Sequence, residues 1–390
     1  MKKFIFSTLC LACIILSCRA KDKVTQVEIS DENTLEQRTE PQYLTLLFAG
    51  DLMQHGVQYK AALQPDGSYS YEECFRFVKD EVSSADVAIA NFETTLAGGT
   101  PSTYPQFNSP DEYLLAIKEA GFDVLLTANN HSVDKGSKGI CRTIEKMDEA
   151  GIPHIGTYVN KEERDREYPY IIEKNGFRIA LLCYTYGTNG IPVPAPHIVN
   201  LIDTVQIRKD IKKAQSMKPD CIIACTHWGT EHALLPNKAQ RDVANFLLRE
   251  GCDHVVGGHP HVVEPVEVST DKEGHAHVLA FSLGNYISNM SRPNNDGGMM
   301  LRMKLTKDAE TGKVYLEPGN ADYCLTWVSR PVMSKHKNFR IYPANVPETM
   351  LNATERAQMK KTLTTERELF SKHNKGIEEY EPIVAGTDAH

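Results

Sequence analysis

Side chains able to hold a metal ion recur at one kind of place in this sequence, just past a short apolar run. Asp51 follows the run at 43–49, and Glu93 follows 86–90. Asn130 and His131 follow 122–128, and His227 follows 221–225. His259 and His261 follow Val255, Val256 and two glycines, with Pro260 between them. Glycine lets the backbone approach a ligand closely, and proline fixes its own φ, so Gly257 to His261 reads as a short stiff loop holding two imidazoles. Taken singly, each residue has a plain reading as a turn, a helix cap or a satisfied core histidine. Together they form a mixed oxygen and nitrogen donor set. Such a set suits Mn, Fe or Zn better than a metal that selects thiolates.

Such residues are useful only if their strands end at one rim. In open α/β sheets the loops after the strands gather at a crevice. The runs at 43–49, 86–90, 122–128 and 221–225 have the length and β-branched or aliphatic content of buried strands. Between them the spacing predicts helices over 71–83, 111–120, 140–150, 201–215 and 238–250. A hairpin is expected over 170–173 and 178–184, turning at Asn175-Gly176. After Pro265 the pattern becomes mostly strand, at 266–268, 277–283, 298–305, 314–317 and 324–328. A charged helical tail is expected within 346–390. The alternating front half and strand-rich back half predict two packed sheets with helices outside.

The 390-residue chain carries a net charge of −8, which argues against a general nucleic-acid binder. Met1-Lys2-Lys3 and the apolar or small stretch at 4–17 have the form of a secretory signal peptide. Ile15-Leu16-Ser17-Cys18 resembles a bacterial lipobox, which makes Cys18 the expected lipidation site and 19–42 a polar, flexible tether. The protein is thus expected to be exported and lipid-anchored at the bacterial cell envelope. The mature chain would keep Cys74, Cys141, Cys183, Cys221, Cys225, Cys252 and Cys324, an odd set with no C-x-x-C pair. They read as neither a disulfide framework nor a zinc ribbon.

Gly50-Asp51, Asn91-Phe92-Glu93, Asn129-Asn130-His131-Ser132-Val133-Asp134, His227-Trp228-Gly229-Thr230-Glu231 and Gly258-His259-Pro260-His261 occur in that order. This set resembles the CapA, or PGA-cap, family of poly-γ-glutamate capsule synthesis, related to the calcineurin-like metallophosphoesterases. Gly121-Phe122-Asp123, Gly151-Ile152-Pro153-His154 and Ser282-Leu283-Gly284-Asn285-Tyr286 also fit it. The resemblance implies one α/β domain over 43–345, built as a four-layer α-β-β-α sandwich around a site for one or two divalent ions. It implies Asp51 as a ligand of one metal, Glu93 as the bridging carboxylate, and Asn130 and His227 on the second metal. It makes His259 and His261 shared ligands, and His131 an acid that is not a ligand. Two positions depart from the wider phosphoesterase pattern. Met53 stands where an Asp-x-His motif has its histidine, with His55 two residues on, and Glu93 replaces an aspartate.

Two functions follow from the resemblance. One is metal-dependent hydrolysis of a phosphoester, or of an amide, in capsule biosynthesis. The other is non-catalytic binding of an anionic polymer, such as poly-γ-glutamate, or scaffolding of its assembly. A serine hydrolase is disfavoured, because no G-x-S-x-G elbow occurs and the nearest serine turn is Phe281-Ser282-Leu283-Gly284.

Overall fold

The computed structural model describes residues 40–384. The expected signal peptide, Cys18 and nearly all of the 19–42 tether lie outside the described residues.

The run at 43–49 forms the middle of β1 (Gln42–Leu52). Its side chains alternate, as strand geometry requires. Leu44, Leu46 and Phe48 point into one apolar cluster, shared with strands of a second sheet. Leu47 and Ala49 point into another, shared with Phe75, Val82, Leu114 and Ile117 of the helices that cover the outer face. After β1 come α1 (Gly56–Ala62), α2 (Glu72–Phe75), α3 (Lys79–Ser84), β2 (Val87–Phe92), α4 (Asp111–Glu119), β3 (Val124–Leu126), α5 (Gly136–Ala150) and β4 (His154–Ile155). The single helix expected over 71–83 is therefore broken. Phe77 is buried in one cluster while Phe75 and Val78 are buried in the other, and one helical stripe cannot serve both.

Next are β5 (Thr157–Tyr158), α6 (Lys161–Glu167), β6 (Tyr170–Lys174), β7 (Phe177–Thr185), β8 (Ile198–Val199), α7 (Thr204–Ser216) and β9 (Cys221–His227). Then follow α8 (Lys238–Glu250), β10 (His254–Gly258), β11 (Val266–Thr270) and β12 (Ala276–Ala280). The hairpin of β6 and β7 turns at Asn175 and Gly176, both with positive φ, as a two-residue turn of this kind needs. The chain closes with β13 (Asn285–Ile287), β14 (Gly297–Lys307), β15 (Val314–Ser329), β16 (Arg340–Pro343), α9 (Ala353–His373) and β17 (Glu378–Glu379).

The larger sheet runs β16-β15-β14-β1-β2-β3-β4, with β13 beside β1 and β17 beside β15. The smaller runs β11-β12-β10-β9-β7-β6. Their facing sides share one apolar core, which joins Phe48 and Leu301 of the larger sheet to Leu181, Ile223 and Val255 of the smaller. Two sheets face to face with flanking helices agree with the expected four-layer α-β-β-α architecture. The sheets do not divide the chain by halves, however. The first four strands and the last five share one sheet, and the middle of the chain supplies the other. The two strands expected at 314–317 and 324–328 are one, β15. Pro318-Gly319-Asn320 reads as a turn, but the pairing with β14 absorbs it as an irregularity between Met303 and Leu305. The helix expected in 346–390 is α9, and it buries Met359, Leu363 and Phe370 in the shared core.

Candidate metal centre

β1, β2 and β3 run parallel, as do β9 and β10, so the loops after their C-terminal ends can meet. A register shift between Ala49 and Asp51 turns the end of β1 and aims Asp51 at the other sheet. Gly50 permits this, because a Cβ there would lie 2.1 Å from the Gly284 carbonyl oxygen. Gly258 permits the approach from the other side, where a Cβ would lie 2.9 Å from Asp51 Oδ1. His259 and His261 both have positive φ, 99° and 57°. Non-glycine residues held there cost about 1–3 kcal/mol each and persist where the surroundings fix them. The His259 N–H donates to Asp51 Oδ2 at 3.3 Å.

The structure brings Asp51, Glu93, Asn130, His227, His259 and His261 together, all buried. Two triads offer ligand atoms within 4.8 Å of one another: Asp51, Glu93 and His261, and Glu93, His227 and His259. Glu93 belongs to both. Glu93 Oε1 lies 3.5 Å from His227 Nε2 and 3.7 Å from His261 Nε2. Two ligands each about 2.1 Å from one tetrahedral ion stand about 3.4 Å apart. Glu93 Oε1 and His259 Nδ1 are buried with no hydrogen-bond partner. Such atoms are costly to leave unpaired, so the donor set fits a cation. Asn130 Oδ1 accepts from His227 Nε2 at 2.8 Å, and its amide nitrogen donates to Asn189 Oδ1 at 3.2 Å. That second bond turns the Asn130 oxygen towards the histidine cluster.

The charges follow from this crowding. Burial works against the Asp51 anion, but the hydrogen bond from His261 and the charge on His227 outweigh it and hold the carboxyl down at about 2. Burial also works against a His261 cation, yet Glu93 and Asp51 push it up to about 9. Burial, with repulsion from His227 and His261, holds His259 neutral, down at about 2. The buried carboxylates thus draw a proton onto His261, which a metal ion would displace on binding.

His131 belongs to neither triad. Its Nδ1 is 2.8 Å from Asp134 Oδ2, which also accepts from the Phe107 N–H at 2.6 Å. The Phe107 ring packs against the His131 ring with centroids 4.6 Å apart. His55 does not replace the missing donor at Met53. Its Nδ1 accepts from the Asn289 N–H at 3.3 Å, burial lowers its pKa to about 4, and it joins neither triad.

Several site residues had no role assigned from sequence. Asn91 donates to Asp51 Oδ1 at 2.8 Å, and Asn285 Oδ1 lies 3.0 Å from His261 Nδ1. Both lie within the motifs that carry the family resemblance. Tyr186 packs its ring 4.6 Å from that of His259. It follows a strand in a Gly- and Pro-rich stretch, and no spacing marked it.

Residues 45–290 match the family model described as bacterial capsule synthesis protein PGA_cap, which is more than half of the chain. The chain belongs to this family. The PGA_cap region begins in β1 and ends just past β13, so it contains both triads. The capsule biosynthesis protein CapA of Bacillus anthracis is 30% identical over 263 residues, 64% of this chain and 60% of that protein. The chain therefore spans less than two thirds of that relative. The PGA biosynthesis protein CapA of Bacillus subtilis is 25% identical over 295 residues, covering 70% and 71% of the two chains. Among solved structures, the calcineurin-like phosphoesterase YfkN of Bacillus subtilis overlays 84% of this chain and 99% of its own, at 13% identity and a TM-score of 0.41.

Proposed function

We propose that this PGA_cap protein is a metal-dependent hydrolase acting on an anionic envelope polymer or its phosphoester precursor during capsule assembly. The observation that carries this is the pair of buried atoms without a hydrogen bond, Glu93 Oε1 and His259 Nδ1, in two triads that share Glu93. Asp51, Glu93, His227, His259, His261 and Asn130 would hold one or two divalent ions of the Mn, Fe or Zn class. Bound there, the metal supplies Lewis acidity and neutralises developing charge. The chain's own residues do the rest. Asp134 fixes the His131 ring through Nδ1, which leaves Nε2 to hold or pass a proton. Lipidation of Cys18 would keep the domain at the membrane surface. Among the described residues no helix is long and apolar enough to cross a membrane.

The test combines elemental analysis of purified protein with turnover of bis(p-nitrophenyl) phosphate and of poly-γ-glutamate. The expected result is one or two ions per chain and measurable turnover, both lost in His259→Ala. A His259→Ala variant with unchanged turnover would sink the assignment. The absence of an imidazole at Met53 favours the second reading, non-catalytic polymer binding. Metal-free protein that retains polymer without cleaving it would establish that reading instead.

A further inference from the structure

A third group of ligand atoms lies in the same cleft, and it brings in a residue outside the sets above. A Glu231 carboxylate oxygen and nitrogens of His259 and His261 lie within 4.8 Å of one another. His259 and His261 belong to different inner triads, so Glu231 spans both, on the solvent side. Asp51 and Glu93 are fully buried, whereas the Glu231 side chain is half exposed.

Glu231 is held in place by its backbone. Its neighbour His232 donates its N–H to the Pro260 carbonyl at 2.8 Å, so the loop after β9 is tied to the turn between the two histidines. His232 has a φ of 67° and Gly229 a φ of 98°, and a Cβ on Gly229 would meet the Gln240 side chain at 2.8 Å. The Ala233 N–H closes a turn on the Thr230 carbonyl at 3.1 Å, and Asn237 donates to Thr230 Oγ1 at 3.1 Å. Asn237 is itself the N-cap of α8, where it accepts from the Gln240 N–H. A carboxylate that served only to keep a surface soluble would need no such support.

The charge balance points the same way. Two divalent ions would bring four positive charges against the two inner carboxylates, Asp51 and Glu93. A third carboxylate at the mouth lowers the excess while leaving that ligand able to meet solvent. We propose that Glu231 is a direct metal ligand of this centre, closing it from the solvent side across His259 and His261. The inference rests on the metal-centre reading above.

The experiment uses the full-length protein, stripped with chelator and titrated with Mn²⁺ or Zn²⁺ by calorimetry. Melting temperature is followed with and without the ion. Glu231→Gln keeps the size of the side chain and removes its charge. The expected result is that it loses one ion from the stoichiometry, or weakens one site by 10-fold or more, and that the metal-induced rise in melting temperature shrinks. Its metal-free melting temperature should match that of the wild type, which excludes misfolding. Glu231→Asp, which keeps the carboxylate, should recover part of the affinity. Wild-type stoichiometry and affinity in Glu231→Gln would overturn the inference while leaving the metal centre standing. A wild-type protein that takes up no ion would overturn both.

Discussion

At the scale of single residues, the His131 and Asp134 pair is open to a direct test. Asp134 Oδ2 takes two bonds, from His131 and from the Phe107 N–H, and so fixes both the ring and the aromatic wall beside it. If His131 handles a proton in turnover, Asp134→Asn leaves the ring without its anionic partner. The expected effect is a fall in kcat of about 10²–10⁴-fold, with metal stoichiometry unchanged. Steady-state kinetics with metal analysis on the same preparation check it, and an unaltered kcat would remove His131 from the chemistry. The residues proposed as ligands stand out in the sequence because each follows a strongly apolar run. What sequence could not supply was the partner of each. Asn285 and Asp51 are far apart in the chain, yet they meet in the β1–β13 register. Asn130 needs Asn189, across a loop whose composition says only that it turns.

At the scale of elements, the loop after β10 depends on close packing beneath it. A Cβ on Gly257 would lie 2.1 Å from the Phe281 carbonyl oxygen and 2.5 Å from Trp228 Nε1, which donates to that oxygen at 2.8 Å. Gly257→Ala should therefore destabilise the fold by about 1–3 kcal/mol, read as a lower urea midpoint. Glu264, a few residues on, gives the same region a pH dependence. It is fully buried, and its carboxylate accepts one hydrogen bond, from Gln240 at 2.6 Å. Burial raises its pKa from 4.5 to about 8. Below pH 4.5 both folded and unfolded chains hold the proton. Between pH 4.5 and 8 only the folded chain does, so stability falls as pH rises, by up to about 1.4 kcal/mol per unit. Above pH 8 the loss is complete. Glu264→Gln keeps an acceptor for Gln240 and should flatten the fall, measured as urea midpoints at pH 5 and pH 8. Parallel profiles for the two proteins would show that Glu264 does not titrate in this window. Element types and order were mostly legible, since long apolar runs and glycine stops carry their own signal. The breaks were not, because the Phe77 kink answers to two cores at once.

At the scale of the whole molecule, strand-helix alternation made two sheets with outer helices legible, but not which strands pair. Neither β16 nor β17 stood out, since two to four residues hold too little pattern to read. The consequence is largest at the end of the chain. Lys375 pairs with β11 in the smaller sheet, exchanging backbone bonds with Val266 and Val268. Three residues later β17 pairs with β15 in the larger sheet. The segment then reaches Glu81 of α3, a buried carboxylate. Tyr380 donates its hydroxyl to Glu81 Oε1 at 2.8 Å, and the Ile383 N–H donates to Oε2 at 2.9 Å. Arg302 lies over the Tyr380 ring at 3.7 Å, and its guanidinium is 3.7 Å from Glu81. Residues 375–383 thus join both sheets and an outer helix. A chain ending at Asn374 would take both of these donors from Glu81, with the Arg302 guanidinium still beside it, at about 1.5–3 kcal/mol for each lost bond to the carboxylate. Tyr380→Phe removes one donor and should cost about 1.5–3 kcal/mol. In the shortened chain, Glu81→Gln removes the charge and should recover part of the loss, because the amide costs less to leave unpaired. Urea unfolding of the variants decides it. A shortened chain as stable as the full one would mean that the terminal segment lies on the fold without holding it together.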